Sequence, residues 1–260
     1  MGPKTSGAEM PFLDHLEELR WRILWSMMAL IGGMIVAFVL VTKVDVIGFL
    51  QAPILPHLHG RKLVYTHPGE PFGIVMKVSF GVGLVLALPV IIYQVWAFLS
   101  PALYRHEKKV VMPVIGGAVL LFATGVIIAY RAILPLTLGF LLTFETRALE
   151  PMITAGQYFG FAITMSLAFG AVFELPIVIL ALTSLGIVTP RMLRKFRRYA
   201  VILSMVAGAL ITPGGDILSL ALLTGPIYLL YEASILVAHL VHRRRENRIA
   251  RDAAEREATA

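Results

Sequence analysis

Cysteine is absent, so the chain has no disulfide, no thiol redox centre and no cysteine-held metal; the redox character of its compartment stays open. Charge is scarce as well: 15% of the 260 residues are Asp, Glu, Lys or Arg, against about a quarter in soluble domains. What charge there is leans basic, with a formal net charge of +7. Gly/Ser-rich linkers are missing, and no two halves resemble each other, which counts against an inverted-repeat transporter. The first twenty residues lack a small-residue cleavage site and carry Glu9, Asp14, Glu17 and Glu18, so a cleaved signal peptide is not expected.

What fills the chain instead is apolar sequence. It is 58% hydrophobic with a mean hydropathy of +0.80, gathered into long runs almost free of charge. That is how a chain dissolves in lipid. Six segments stand out: 23–41, 74–97, 110–129, 158–185, 199–211 and 217–241. The first three match the roughly 20 residues needed to cross a ~30 Å hydrocarbon core. The fifth is short, about 20 Å of helix at 1.5 Å per residue. It is followed by the turn Thr212-Pro213-Gly214-Gly215-Asp216 and another apolar run, so a short helical hairpin is expected. Pro226 and Glu232 are expected to shorten the sixth. Residues 42–73 hold Pro53, Pro56, Pro68 and Pro71 with His57, His59 and His67 between them. No acidic partner stands at ligand spacing, so a solvated, irregular loop is expected rather than a metal site.

Charge sets orientation. Lys4, Arg20 and Arg22, the cluster at 105–109, the cluster at 191–198 and the tail from Arg243 onward hold 17 of the 23 basic residues, whereas the intervening loops hold five. The bias puts both termini in the cytoplasm and requires an even number of crossings. The expected fold is therefore all-α: a polytopic protein of the cell membrane with six transmembrane helices, the last two short. Residues 1–241 form one membrane domain, and 242–260 form a charged cytoplasmic tail. The basic residues answer to topology and anionic lipid, so the bilayer, and not nucleic acid, is the expected partner.

Three places could carry chemistry. Phe12, Leu16, Leu19 and Ile23 recur on one helical face, with Asp14, Glu17 and Glu18 off it. This is either an interfacial helix with an exposed Glu18–Arg22 pair or a carboxylate cluster that receives a cationic partner. In Phe98-Leu-Ser-Pro-Ala-Leu-Tyr-Arg-His-Glu107, Glu107 is the sole acid among bases: a solvated turn, or a second carboxylate beside an apolar platform that starts at Phe98. Glu174 lies within an apolar span, where a carboxyl costs about 2.5–3.5 kcal/mol on insertion scales. It therefore calls for a partner, water or a function, and Pro176 should loosen the helix there. A secondary transporter or channel would use Glu174 as an ion site. An intramembrane enzyme would need a second deep catalytic group; the best candidates are isolated residues such as Thr164 and Ser166, with no histidine or aspartate deep in a span to join them, so this reading ranks last. No cofactor, metal or catalytic residue is expected.

Taken together, His15-Leu-Glu-Glu-Leu-Arg-Trp-Arg22, the run from Tyr93 to Glu107, Phe173-Glu-Leu-Pro176 and Thr212-Pro-Gly-Gly-Asp216 stand in the order and spacing of the TatC family, which the chain resembles from Phe12 to about Val241. The family's usual last turn is Thr-Pro-Pro-Asp, which here has Gly214-Gly215 and one more residue, and Leu220 replaces a frequent glutamine. The resemblance implies a receptor for the twin-arginine signal peptides of folded precursors, which nucleates a translocon driven by the proton-motive force. It also implies single-span partners of the TatA and TatB type and allows a homo-oligomer within the complex. Glu18 and Glu107 would meet the paired arginines, with Arg20, Glu17 and Phe98 at the same site. Glu174 would be the intramembrane polar residue, and Pro53, Pro101, Pro176 and Asp216 would serve structure and translocation.

Overall fold

The computed structural model describes residues 12–58, 60–99, 111–143, 152–184, 186–211 and 217–258. Among them the chain is helical, with no strand beyond a single isolated bridge. Helix α1 (Phe12–Lys43) is followed by the short α2 (Val46–Gln51), α3 (Glu70–Leu99), α4 (Val111–Ile128), α5 (Leu134–Thr143), α6 (Ala155–Phe173), α7 (Leu175–Ser184), α8 (Pro190–Lys195), α9 (Arg197–Ile211) and α10 (Ile217–Ala258). Five stretches are long and apolar enough to cross a membrane: Leu16–Lys43, Glu70–Phe98, Met112–Thr143, Ala155–Ser184 and Leu223–Leu240. The 15-residue α9 spans only about 22 Å; it packs along α10 as the hairpin expected from the sequence.

The third span departs from expectation. Residues 130–143 are not loop: a π turn at Ala129–Ile133 carries α4 into α5. Pro135 has no N–H to give the Arg131 carbonyl, and the wider turn ahead of it takes up the mismatch. The fourth span is interrupted where Pro176 indicated, with Glu174 standing between α6 and α7. Pro226 does not break the sixth helix. The 42-residue α10 runs through it and on into the charged tail, because neighbouring helices and side chains can absorb one lost backbone bond.

Small residues let the helices approach closely, as lipid-embedded bundles require. A methyl group on Gly33 of α1 would lie 2.5 Å from the Gly83 carbonyl of α3, and one on Gly83 would lie 2.7 Å from the Met34 backbone. Between α4 and α6, the Phe122 ring sits on Gly170 and the Phe173 ring on Gly125. Buried hydroxyls turn back on their own helices: Ser79 donates to the Val75 carbonyl (2.7 Å), Ser204 to Ala200 (2.7 Å) and Ser234 to Leu230 (2.7 Å). Each removes a polar group that hydrocarbon would penalise.

The largest core lies toward the end of the bundle opposite the basic clusters. Ile54, Val78, Leu134, Met165 and Phe169 are fully buried there. The segment between α1 and α3 closes over this core as a cap, which the expectation of an irregular, solvated loop did not foresee. Ile54 is completely buried and Leu58 nearly so. The Tyr158 hydroxyl donates to the Leu50 carbonyl (2.6 Å) and the Tyr130 hydroxyl to that of Phe49, whose ring stacks on Tyr130 at 4.9 Å. Val64 pairs with the start of α6, the Ala155 N–H donating to its carbonyl at 2.7 Å. Glu70 accepts the Thr66 N–H (2.8 Å) with one oxygen and the Gly156 N–H (2.7 Å) with the other. It thus satisfies a donor in the first turn of α6 from another helix. Pro53 sits in the turn between α2 and a 3-10 turn at Leu55–His57. The His67 ring nitrogen Nδ1 accepts the Gly69 N–H (3.2 Å).

Candidate functional site

At the basic end, α1 and α3 form one antiparallel seam. Gly33 meets Gly83, and the Arg22 guanidinium donates to the Gln94 side-chain oxygen at 3.3 Å. Eleven residues separate Gly33 from Arg22, and eleven separate Gly83 from Gln94, so the two helices hold one register over about three turns. One further turn along each helix brings Glu18 level with Phe98. The seam therefore brings together two groups that are far apart in sequence, a carboxylate and an aromatic end-group.

Glu18 is not bare. Arg22, four residues on, donates to the same Glu18 oxygen from Nε (3.0 Å) and from a terminal nitrogen, and both side chains are only about a quarter exposed, at 24% and 23%. Gln94 holds the other end of that guanidinium. Glu17 and Arg20 are exposed beside it. The expected apolar face is not buried against the protein, since Leu16 is 45% and Ile23 50% exposed; it is free for lipid or a ligand. Trp21 and Trp25, also exposed, suit the membrane interface. Glu107 and Pro101 lie outside the described residues, as does Asp216.

Glu174 caps α6 with its backbone N–H on the Ala171 carbonyl (3.1 Å), and its own carbonyl accepts from Ile177 (3.0 Å) and Val178 (2.9 Å). Its side-chain Oε1 is buried without a hydrogen-bond partner among the described residues. A groove bordered by polar side chains lies near the cap. It is about 960 Å3, lined by Glu70, Lys77, Gln157 and Thr164 among others, and Glu174 is not part of its wall. Ser166 turns its hydroxyl back on the Ala162 carbonyl (2.7 Å). No cluster of three or more metal-ligating side chains occurs among the described residues.

Sequence reasoning named Glu18 and Phe98 as candidates but did not single out Gln94, which anchors Arg22, or Glu70, which ties the cap to α6. Gln94 stands inside the motif beginning at Tyr93, and Glu70 is a lone acid opening a span; those were the available signals.

The family model for the Sec-independent protein translocase protein (TatC) matches residues 14–226. The chain belongs to the TatC family. It is 39% identical over 239 residues to the Sec-independent protein translocase protein TatC of Aquifex aeolicus, covering 91% of this chain and 98% of that one. The TatC of Escherichia coli K12 is 36% identical, with 92% of each chain covered. Among solved structures, a crystal structure of the twin-arginine translocase receptor TatC superposes with a TM-score of 0.79 at 40% identity, over 87% of this chain and 99% of that one. The protein is accordingly a multi-pass membrane component of a Tat translocase. It is a protein-transport subunit and not an enzyme, and the likeness lends nothing to the secondary-transporter reading.

Proposed function

We propose that this chain is the receptor that captures twin-arginine signal peptides at the end of the α1–α3 seam and from there nucleates a translocon with single-span partners of the TatA and TatB type, driven by the proton-motive force. The observation that carries the reading is the pairing of Glu18 with Arg22 at the end of the seam, at the level where the helix register sets Phe98. The site already holds a guanidinium on its carboxylate, so an incoming arginine has a matched acceptor and only a weak competitor. Guanidinium binds carboxylate through planar, charge-assisted bonds that lysine cannot reproduce. Glu107, nine residues beyond Phe98, would supply the second carboxylate, and Glu17 and Arg20 would shape the field around the first. The exposed Leu16 and Ile23 offer apolar surface for the hydrophobic part of the signal. The basic bias of this end supports a cytoplasmic position for it, where precursors are made.

The test is a photoreactive residue at Phe98 in the full-length protein in membranes. It is expected to capture a signal peptide through residues next to the arginine pair, and capture should fall when Glu18→Ala is added. Capture only at the cap end, or none with a functional signal, overturns the assignment.

A further inference from the structure

At the basic end, α6, α7, α9 and α10 enclose a cleft of about 650 Å3. Its walls are Val172, Leu175, Ile179, Leu203, Ala207 and Ile227. The hydroxyls that border it are already engaged: Ser204 donates to the Ala200 carbonyl (2.7 Å), Tyr231 donates to that of Leu193 (2.8 Å), and Tyr199 accepts from Arg198 (3.2 Å). The cleft thus takes an apolar occupant. In a bilayer it cannot stand empty, because a void forfeits the dispersion contacts of its lining.

A cation stands beside it. The Arg198 guanidinium lies 4.9 Å over the ring of Tyr199, which itself lines the cleft. Arg197 is neutralised by Glu232 at 2.7 Å, whose other oxygen accepts the Tyr228 hydroxyl (2.8 Å). Arg191, Arg194, Lys195 and Arg198 have no carboxylate at ion-pair distance among the described residues. Arg198 borders the cleft through Tyr199, and Arg191, Arg194 and Lys195 stand on α8, just ahead of the lining residue Phe196; such a basic cluster next to an apolar slot matches a ligand with an anionic head and an alkyl tail. Basic pockets between membrane helices recognise lipid headgroups in this way.

We propose that this cleft is a binding site for an anionic phospholipid, with one acyl chain between α7 and α9 and the phosphate at Arg198, Arg194 and Lys195. The site is separate from the Glu18–Phe98 end and does not depend on it.

The experiment is native mass spectrometry of the full-length protein with phosphatidylglycerol or phosphatidylcholine added in detergent. Phosphatidylglycerol is expected to be retained preferentially. Arg198→Gln and Arg194→Gln are each expected to cut that preference about fivefold, since a basic residue at a lipid surface contributes a factor of that order. Both are surface changes, so folding is not at stake. Ala207→Phe should reduce retention by filling the cleft with every charge kept, and a photoreactive residue at Leu203 in membranes should capture lipid. Equal retention of the two lipids, an unchanged preference in the arginine variants, or capture of a protein helix at Leu203 overturns the proposal.

Discussion

At the cap, side chains are tied to main chain across the fold: Tyr130 and Tyr158 to the carbonyls of α2, Glu70 to the first turn of α6, Val64 to Ala155. At the basic rim, Glu18, Arg22 and Gln94 are linked side chain to side chain, partly open to solvent. The core follows the same division. The large cluster around Ile54, Leu134 and Met165 lies under the cap, while the basic end has two small ones, Trp96–Ile115–Ala181 and Ile179–Leu193–Ile235–Ala238. Backbone tethers and deep burial make a fixed end. A carboxylate held by a replaceable cation makes a receptive one.

This division can be broken at either end. The largest expected effect is on ligand binding: Glu18→Ala with Glu107→Ala should weaken twin-arginine peptide binding by more than about tenfold, since charge-assisted bonds contribute about 1.5–3 kcal/mol each before solvent exposure discounts them. The melting temperature in detergent should hardly move. Next comes the seam that links the two ends. Gly83→Leu should cost about 1–3 kcal/mol of stability through overpacking and should part Glu18 from Phe98, measurable as lost disulfide formation between cysteines placed at those positions. At the cap, Tyr158→Phe leaves the Leu50 carbonyl without its donor and should cost about 1 kcal/mol. That change should appear in thermal unfolding and leave peptide affinity unchanged. The smallest effect sharpens the comparison. Arg22→Gln removes an i,i+4 pair of about 0.3–0.5 kcal/mol, so peptide affinity should shift by no more than about threefold. A tenfold loss there would mean that Arg22 is part of the recognition surface and not a replaceable occupant.

Much of this was legible in the sequence because lipid imposes local rules. Runs of apolar residues marked all six helical segments, and the lone Glu174 with Pro176 marked the break between α6 and α7. What failed was tertiary. Arg131 and Pro135 read as the end of a span, yet the π turn carries the helix on to Thr143. The prolines of residues 42–73 hid a cap whose order comes from Tyr130, Tyr158 and Glu70, all distant in sequence. In the candidate site, the residue types at 17–20 and 98 were visible as motifs. That Glu18 stands level with Phe98 depends on the Gly33–Gly83 crossing, and no periodicity within either helix encodes that register.

The central claim is recognition of paired arginines by carboxylates. It is tested most directly by immobilising the full-length protein in detergent and offering it a twin-arginine signal peptide against its twin-lysine counterpart. The account predicts retention of the twin-arginine peptide, release of the twin-lysine peptide, and loss of the distinction in the Glu18→Ala, Glu107→Ala protein. Equal retention of both peptides by the unmodified protein would contradict it.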